Sequence, residues 1–188
     1  MVGIEHLPLQ YYFFDTYIGY FLEALPIALV VSVIYGVVRY RKDTQTGLVQ
    51  KIFSCVFVCY MTGLVCLVVG LDLMRIFWYW VIYHRDSGIM IQFFSGEYDL
   101  IPDLSSHISG EAVGNFLMFL PFGILYPLSR KETSWKRTVL VGFVTVLVIE
   151  ILQPIFGSAF DANDVILDTL GIVVSASLFM AVRKALHH

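Results

Sequence analysis

The chain has 188 residues, of which 58% are hydrophobic and only 14% charged, and its formal net charge at pH 7 is −3. Soluble domains are typically about 45–50% apolar and about 25% charged, so the composition indicates an integral membrane domain of several spans and excludes a separate soluble enzyme. The negative balance gives no reason to expect a nucleic-acid partner.

The N-terminus does not resemble a cleaved signal peptide. Glu5 and Asp15 precede the first apolar run, and no Lys or Arg does. A signal peptide begins with a basic segment. We therefore expect the chain to enter the membrane through an uncleaved first span.

Five apolar segments are long enough to be membrane-spanning helices, which need about 20 residues to cross the hydrocarbon core. They run over Tyr17–Val38, Ile52–Leu71, Ala112–Leu128, Thr138–Phe156 and Val165–Val182. The third and fifth are near the short limit, and a re-entrant or tilted segment is an alternative for both. The fold class that follows is an all-α, polytopic membrane bundle.

The positions of the basic residues predict the orientation of this bundle. Ten of the twelve Lys and Arg residues lie between spans one and two, between spans three and four, or after span five. Only Arg75 and Arg85 lie on the other side. Loops rich in Lys and Arg stay in the cytoplasm, so we predict the N-terminus outside and the C-terminus in the cytoplasm.

Two unusual segments follow span two on the predicted outer side. Leu71–Tyr83 is rich in aromatic residues, which favour the headgroup level of a membrane. It is predicted either to extend span two or to form a short helix lying in the outer interface. The loop Asp86–Glu111 is polar and longer than a simple connection, and loops of that length are often functional.

Polar residues gather where spans four and five are predicted to meet. Glu150 and Gln153 lie in an otherwise apolar stretch, and three aspartates follow soon after. A charge held at the bilayer centre costs from about 2.5 to over 10 kcal/mol, so residues of this kind are candidates for function. On the predicted topology, Glu23 also lies in the outer part of its span. We predict an outward-facing polar site that consists of Asn115, Glu150, Gln153, Asp161, Asp164 and Asp168.

Several of these residues also have structural interpretations. Asn163 or Asp164 could cap the start of span five. Gln153 is predicted to be an interhelical hydrogen-bond partner. Glu150 is predicted to be neutral, to pair with Asn115 or Gln153, or to coordinate a ligand.

Proline and glycine positions predict how the helices pack. Pro121 is expected to kink span three, and Gly123 and Gly171 to allow close approach of neighbouring helices. The sequence has no CxxC and no paired histidines near its cysteines, and the terminal pair His187 and His188 is not interpreted as a metal site, so no metal site is predicted and no cofactor is identified. Cys55, Cys59 and Cys66 are expected to be packing residues.

Four segments resemble motifs of the VanZ-like family of bacterial membrane proteins. Asn115–Gly123 resembles the family segment N-x-x-x-F-x-P-x-G, and Glu150–Gln153 resembles its E-x-x-Q. Phe160–Asp164, followed by Gly171, resembles its F-D-x-x-D and the glycine after it, and Leu100–Pro102 is similar to its N-L-x-P. The resemblance covers Leu100–Phe179. It divides the chain into a two-span region, residues 1–99, and a VanZ-like three-span region, residues 100–188.

The resemblance implies a multi-pass protein of the bacterial plasma membrane. The member that gives the family its name is associated with resistance to teicoplanin, a lipid-tailed glycopeptide that acts at the outer face. Our hypothesis is therefore resistance to glycopeptides, lipoglycopeptides or other envelope-active antimicrobials. Membrane lipids, a lipid-linked wall precursor and a lipophilic antimicrobial are the partners this implies.

The family has no agreed reaction, so two alternatives stand beside this hypothesis. One is a membrane enzyme that acts on the headgroup of a lipid or a lipid-linked wall precursor. The other is a non-catalytic assembly partner of a membrane complex.

Overall fold

The computed structural model describes residues 17–42, 46–90, 93–94, 97–102 and 110–186. These form six helices: α1 (Tyr17–Lys42), α2 (Leu48–Val68), α3 (Leu71–Tyr83), α4 (Gly110–Leu128), α5 (Trp135–Leu152) and α6 (Ala162–Leu186). A 3₁₀ turn (Gln153–Phe156) follows α5, and the two short strands are β1 (Tyr98–Asp99) and β2 (Phe160–Asp161). The predicted all-α helical bundle is confirmed.

The five predicted spans correspond to α1, α2, α4, α5 and α6. Four of these helices are long and apolar enough to cross a membrane, with α5 extended by its 3₁₀ turn. Helix α4 is shorter, with 19 residues. Its length of about 28 Å is close to the thickness of a hydrocarbon core, about 30 Å.

Helix α6 begins at Ala162, earlier than the predicted start at Val165. The carboxylate of Asp161 accepts a hydrogen bond of 2.7 Å from the backbone N–H of Asn163, as an N-cap does. The prediction that Asn163 or Asp164 caps this helix is therefore wrong. Asn163 and Asp164 lie within the first turn of α6, and the capping residue is Asp161, which directly precedes the helix.

The aromatic segment after α2 is a separate helix, α3, which begins after Gly70. It packs against the start of α1. Trp78 Nε1 donates to the carbonyl of Glu23 at 2.9 Å, and Arg75 donates to the hydroxyl of Tyr20 at 2.9 Å. Its position in the membrane interface remains a prediction.

The long helices alternate in direction. Ser54, near the start of α2, donates to the carbonyl of Ser129 at the end of α4. Trp135, at the start of α5, donates to Ser177 in the second half of α6. All helix ends that carry basic residues therefore lie together, and we call this the basic end. Its residues are Arg39, Arg41, Lys42, Lys51, Arg130, Lys131, Lys136, Arg137, Arg183 and Lys184.

The opposite end, the acidic end, holds the start of α6 and the end of α5. The apolar core lies below it, among α2, α4, α5 and α6, and includes Leu64, Phe119, Phe122, Val146 and Ile172. Helix α1 contacts chiefly α2 and α3 and lies at the edge of the bundle.

Three glycines allow the central helices to approach each other closely. A Cβ atom on Gly123 would lie 2.1 Å from Ser175 Oγ and 2.6 Å from the backbone nitrogen of Ala176, and one on Gly171 would lie 2.5 Å from the carbonyl oxygen of Phe116. Gly142 of α5 is similarly tight against the side chain of Ile172. Small residues at such contacts supply packing in a membrane, where the hydrophobic effect does not drive helices together.

Candidate functional site

Two acidic side chains are almost fully buried where α5 and α6 meet at the acidic end. Glu150, near the end of α5, is 1% exposed, and Asp168, in the second turn of α6, is 2% exposed. Glu150 interacts electrostatically with Asp168, Asp164 and Asp161. We call these four residues the carboxylate cluster.

The local sequence explains how the chain folds back to form this cluster. Pro154 lies in the 3₁₀ turn that ends α5, and Gly157 has a φ of 96°, which favours glycine. The chain then reverses within a few residues, so that Asp161 lies close to Glu150. Asp164 and Asp168 follow at the spacing of one helical turn and lie on one face of α6.

Gln153 supports Glu150. The Gln153 side chain is buried, and its amide is satisfied when its nitrogen faces Glu150 Oε2 at 2.8 Å and the carbonyl of Ala159 at 3.2 Å. Of the two partners predicted for Glu150, the structure gives Gln153. Both acceptors belong to α5 and the turn after it, so this amide holds the turn together rather than joining distant helices.

Asp168 is the member of the cluster with an oxygen atom that is buried and unsatisfied among the described residues. Its Oδ1 atom is buried and has no hydrogen-bond partner within the described part of the chain. A buried polar atom in this state costs about 1–3 kcal/mol, and more when the group is charged. Two buried carboxyls side by side therefore form a site that would gain from a ligand with N–H or O–H donors.

Tyr60 of α2 joins the site, and the sequence analysis missed it. Its hydroxyl donates to the carbonyl of Met118 at 2.8 Å, and its phenol interacts electrostatically with Asp168. An aromatic residue in an apolar run has the same pattern as a packing residue. The available signal was that Tyr60 is the only Tyr or Trp within the predicted span Ile52–Leu71, and a buried phenol usually has a hydrogen-bond partner.

Asn115 lies beside the cluster rather than in it. It is half-buried on α4, next to Phe116, whose carbonyl faces Gly171. The described residues include no hydrogen bond between the Asn115 side chain and the cluster. Glu23 is also fully buried, but on α1, beneath α3. The structure therefore places together Glu150, Gln153, Asp161, Asp164 and Asp168. Glu23 belongs instead to the contact between α1 and α3.

Part of the long loop before α4 is attached to the turn before α6. Strands β1 and β2 pair in parallel, with Tyr98 opposite Phe160 and Asp99 opposite Asp161. The Phe160 N–H donates to the carbonyl of Glu97 at 3.1 Å. The described part of the loop thus adds an acidic residue beside the cluster, while residues 103–109 of the predicted loop lie outside the described residues.

The functional groups at this site are carboxylates, an amide and a phenol. No group of three or more His, Cys, Asp or Glu side chains in the described ranges is placed as metal ligands would be. Carboxylates accept hydrogen bonds from ammonium, amide and hydroxyl groups. Membrane-length helices with such a cluster at one end define a polytopic membrane protein with buried acidic side chains at one end of its helical bundle.

A family model described as VanZ/LLP1 matches residues 57–183. The match covers well over half of the 188 residues, so the chain belongs to the VanZ/LLP1 family. It begins within α2 and includes Tyr60 and the whole carboxylate cluster, while α1 lies outside it. No curated protein and no solved structure matches the chain.

Proposed function

We propose that this VanZ-family membrane protein lies in the bacterial plasma membrane with its acidic end outward, and that the carboxylate cluster binds an envelope-directed amphiphile. On this proposal it contributes to resistance to glycopeptides, lipoglycopeptides or other envelope-active antimicrobials. The observation that carries the proposal is the pair Glu150 and Asp168, two nearly fully buried acids at one end of an apolar bundle. Acids at membrane depth are costly and typically mark binding or transport sites.

The arrangement of the acids supports entry of a ligand from the acidic end. Asp161 and Asp164 are half-buried, whereas Glu150 and Asp168 are deeper. A cationic or hydroxylated headgroup would first meet the two half-buried acids and then hydrogen-bond to the buried pair. Its apolar tail would stay in the lipid beside the bundle.

The outward placement of this end rests on charge. Ten basic residues lie at the basic end, and cytoplasmic loops are enriched in Lys and Arg. With the basic end in the cytoplasm, the cluster faces the side on which cell-wall-directed drugs act.

The test replaces Glu150 and Asp164 together with their amides, Glu150→Gln and Asp164→Asn. These changes preserve the side-chain shapes and remove two negative charges. We expect cells that express the double variant to become as susceptible to a panel of glycopeptides and lipoglycopeptides as cells that lack the protein.

The matched control is Glu132→Gln, because Glu132 is an exposed acid near the basic end. It should leave susceptibility at the level of the unmodified protein, with both proteins equal in amount by immunoblot. Full protection by the double variant at equal expression would refute the proposal.

A second candidate function is favoured by the electrostatic interaction between Glu150 and Asp168. Two carboxyls whose charges interact can differ in protonation, so that one acts as an acid and the other as a base. This arrangement would suit an enzyme that acts on the headgroup of a lipid or lipid-linked wall precursor. A lipid product that is present with the unmodified protein and absent with Glu150→Gln would identify the enzyme, and identical lipid extracts together with lost protection would identify the binding protein.

A further inference from the structure

An apolar groove runs along the edge of the bundle, from the basic end to Tyr60 near the acidic end. It has a volume of about 720 Å³, lies between α1 and α2, and is bordered by Met118 and Pro121 of α4. Its lining extends from Leu48 to Leu67 on α2, a rise of about 28 Å. Leu29 and Val56 line it and are 49% and 44% exposed, so the groove is open along its length.

The groove exists because α1 and α2 meet along small side chains. Ser32 Oγ donates to the carbonyl of Cys55 at 2.7 Å, and a Cβ on Gly36 would lie 3.0 Å from Cys55 Sγ. Gly63 lies opposite Ala28 in the same contact. Small residues bring the two backbones together, but they leave the space beside the contact unfilled.

Two basic residues lie at one end of this groove, Arg39 and Lys51. The Lys51 ammonium lies 4.9 Å from the centre of the Tyr40 ring, and Arg39 donates to the hydroxyl of Tyr35. Arg39 Nε is buried without a hydrogen-bond partner in the described ranges. No carboxylate among the described residues forms an ion pair with Arg39 or Lys51, and both side chains line the groove.

We propose that the groove binds an anionic phospholipid of the leaflet at the basic end, with an acyl chain along α1 and α2 and the phosphate between Arg39 and Lys51. One leaflet of the hydrocarbon core is about 15 Å thick, so the groove is long enough to hold a whole chain. Arg and Lys are the side chains that best complement a lipid phosphate. The phosphate end of this site does not rest on the proposed function, since Arg39 and Lys51 lie at the basic end and outside the carboxylate cluster. Of the described residues, Tyr60 borders both the groove and the cluster.

The test is native mass spectrometry of the purified protein titrated with phosphatidylglycerol or phosphatidylcholine of identical chains. We expect phosphatidylglycerol to be retained preferentially. Arg39→Gln combined with Lys51→Gln should lower its affinity by roughly tenfold or more, because each basic residue near a lipid phosphate contributes to binding. Arg183→Gln with Lys184→Gln removes the same charge at the same end, outside the groove, and should leave affinity unchanged.

A second pair of variants tests the position of the chain. Val56→Trp, on α2, fills the groove and should displace the lipid. Val33→Trp, on α1, changes an exposed residue outside the groove and should not displace it. If Val56→Trp does not fold, Leu29→Trp fills the groove from the other wall.

Three results would overturn the proposal. They are equal retention of the two lipids, unchanged phosphatidylglycerol affinity in the groove-filling variant, and a dimer mass peak that the groove-filling variant abolishes. The last would assign the groove to a second copy of the chain.

Discussion

Glu150 and Asp168 interact electrostatically in surroundings that penalise charge. Both are buried, each interacts with the other and with Asp164, and one oxygen of Asp168 lacks a hydrogen-bond partner in the described ranges. A protein selected for stability alone would place amides or apolar side chains here. Local features that lower stability and have no structural role are typical of functional sites.

Replacing one of these acids should therefore stabilise the fold. Asp168→Asn preserves the side-chain shape and removes its repulsion with Glu150, so we expect a higher melting temperature in detergent, equivalent to about 1 kcal/mol. Glu132→Gln, an exposed acid at the other end, should leave the melting temperature unchanged. A lower melting temperature for Asp168→Asn would show that the carboxylate of Asp168 is a structural partner.

Single residues differ in how well the sequence predicts them. Glu150 and the three aspartates could be identified because charge within an apolar stretch is rare. Tyr60 gives a weaker signal, since a phenol in an apolar helix has the pattern of a packing residue until its neighbours are known. The capping role of Asp161 was also missed, because span five was predicted to begin at Val165 and the helix begins at Ala162.

At the scale of helices, the contact between α4 and α6 depends on Gly123. Gly123→Ala would place a methyl group against Ser175 and the backbone of Ala176. Overpacking of this kind costs about 1–3 kcal/mol, so the melting temperature should fall.

Gly114→Ala provides the matched control on the same helix, because nothing lies within 4 Å of a Cβ at that position. It should be neutral or slightly stabilising, as alanine favours helix over glycine by up to about 1 kcal/mol. Equal effects of the two substitutions would contradict the close approach of α4 and α6.

The attachment of α3 to α1 depends on Trp78. Trp78→Phe removes the hydrogen bond to the carbonyl of Glu23 and leaves that carbonyl with one donor fewer. We expect a loss of about 1 kcal/mol of stability by thermal denaturation. Trp80→Phe, at a side chain that is 62% exposed, should cause no comparable loss, and a larger loss there would place the α3 contact on the other face of the helix.

Hydropathy predicts the existence and order of the five long helices, because each must be apolar over its whole length. Their ends differ from the prediction by a few residues, since polar caps and loop contacts set them. The separate α3 could be predicted only as one of two alternatives. The β1–β2 pair could not be predicted at all, because two-residue strands carry no periodic pattern.

For the whole molecule, the separation of charge between the two ends predicts its orientation. Ala159→Cys, at an exposed position in the turn before α6, should react with a membrane-impermeant thiol reagent added to intact cells, and Glu132→Cys should not. Both variants need a background in which Cys55, Cys59 and Cys66 are replaced. Labelling of Glu132→Cys and not of Ala159→Cys would show the opposite orientation, with the carboxylate cluster on the cytoplasmic side.

The peripheral position of α1 has a consequence for how the protein tolerates change. This helix joins the bundle mainly through α2 and α3, and it lies outside the region that matches the family. Most side chains of α1 can be replaced by other apolar residues without affecting the packing of α4, α5 or α6. Saturation mutagenesis should therefore find that most substitutions along α1 are tolerated and that substitutions from α2 onward are tolerated less often. Sequence variation would then accumulate in α1, at the edge of the bundle, while the residues of the carboxylate cluster stay unchanged.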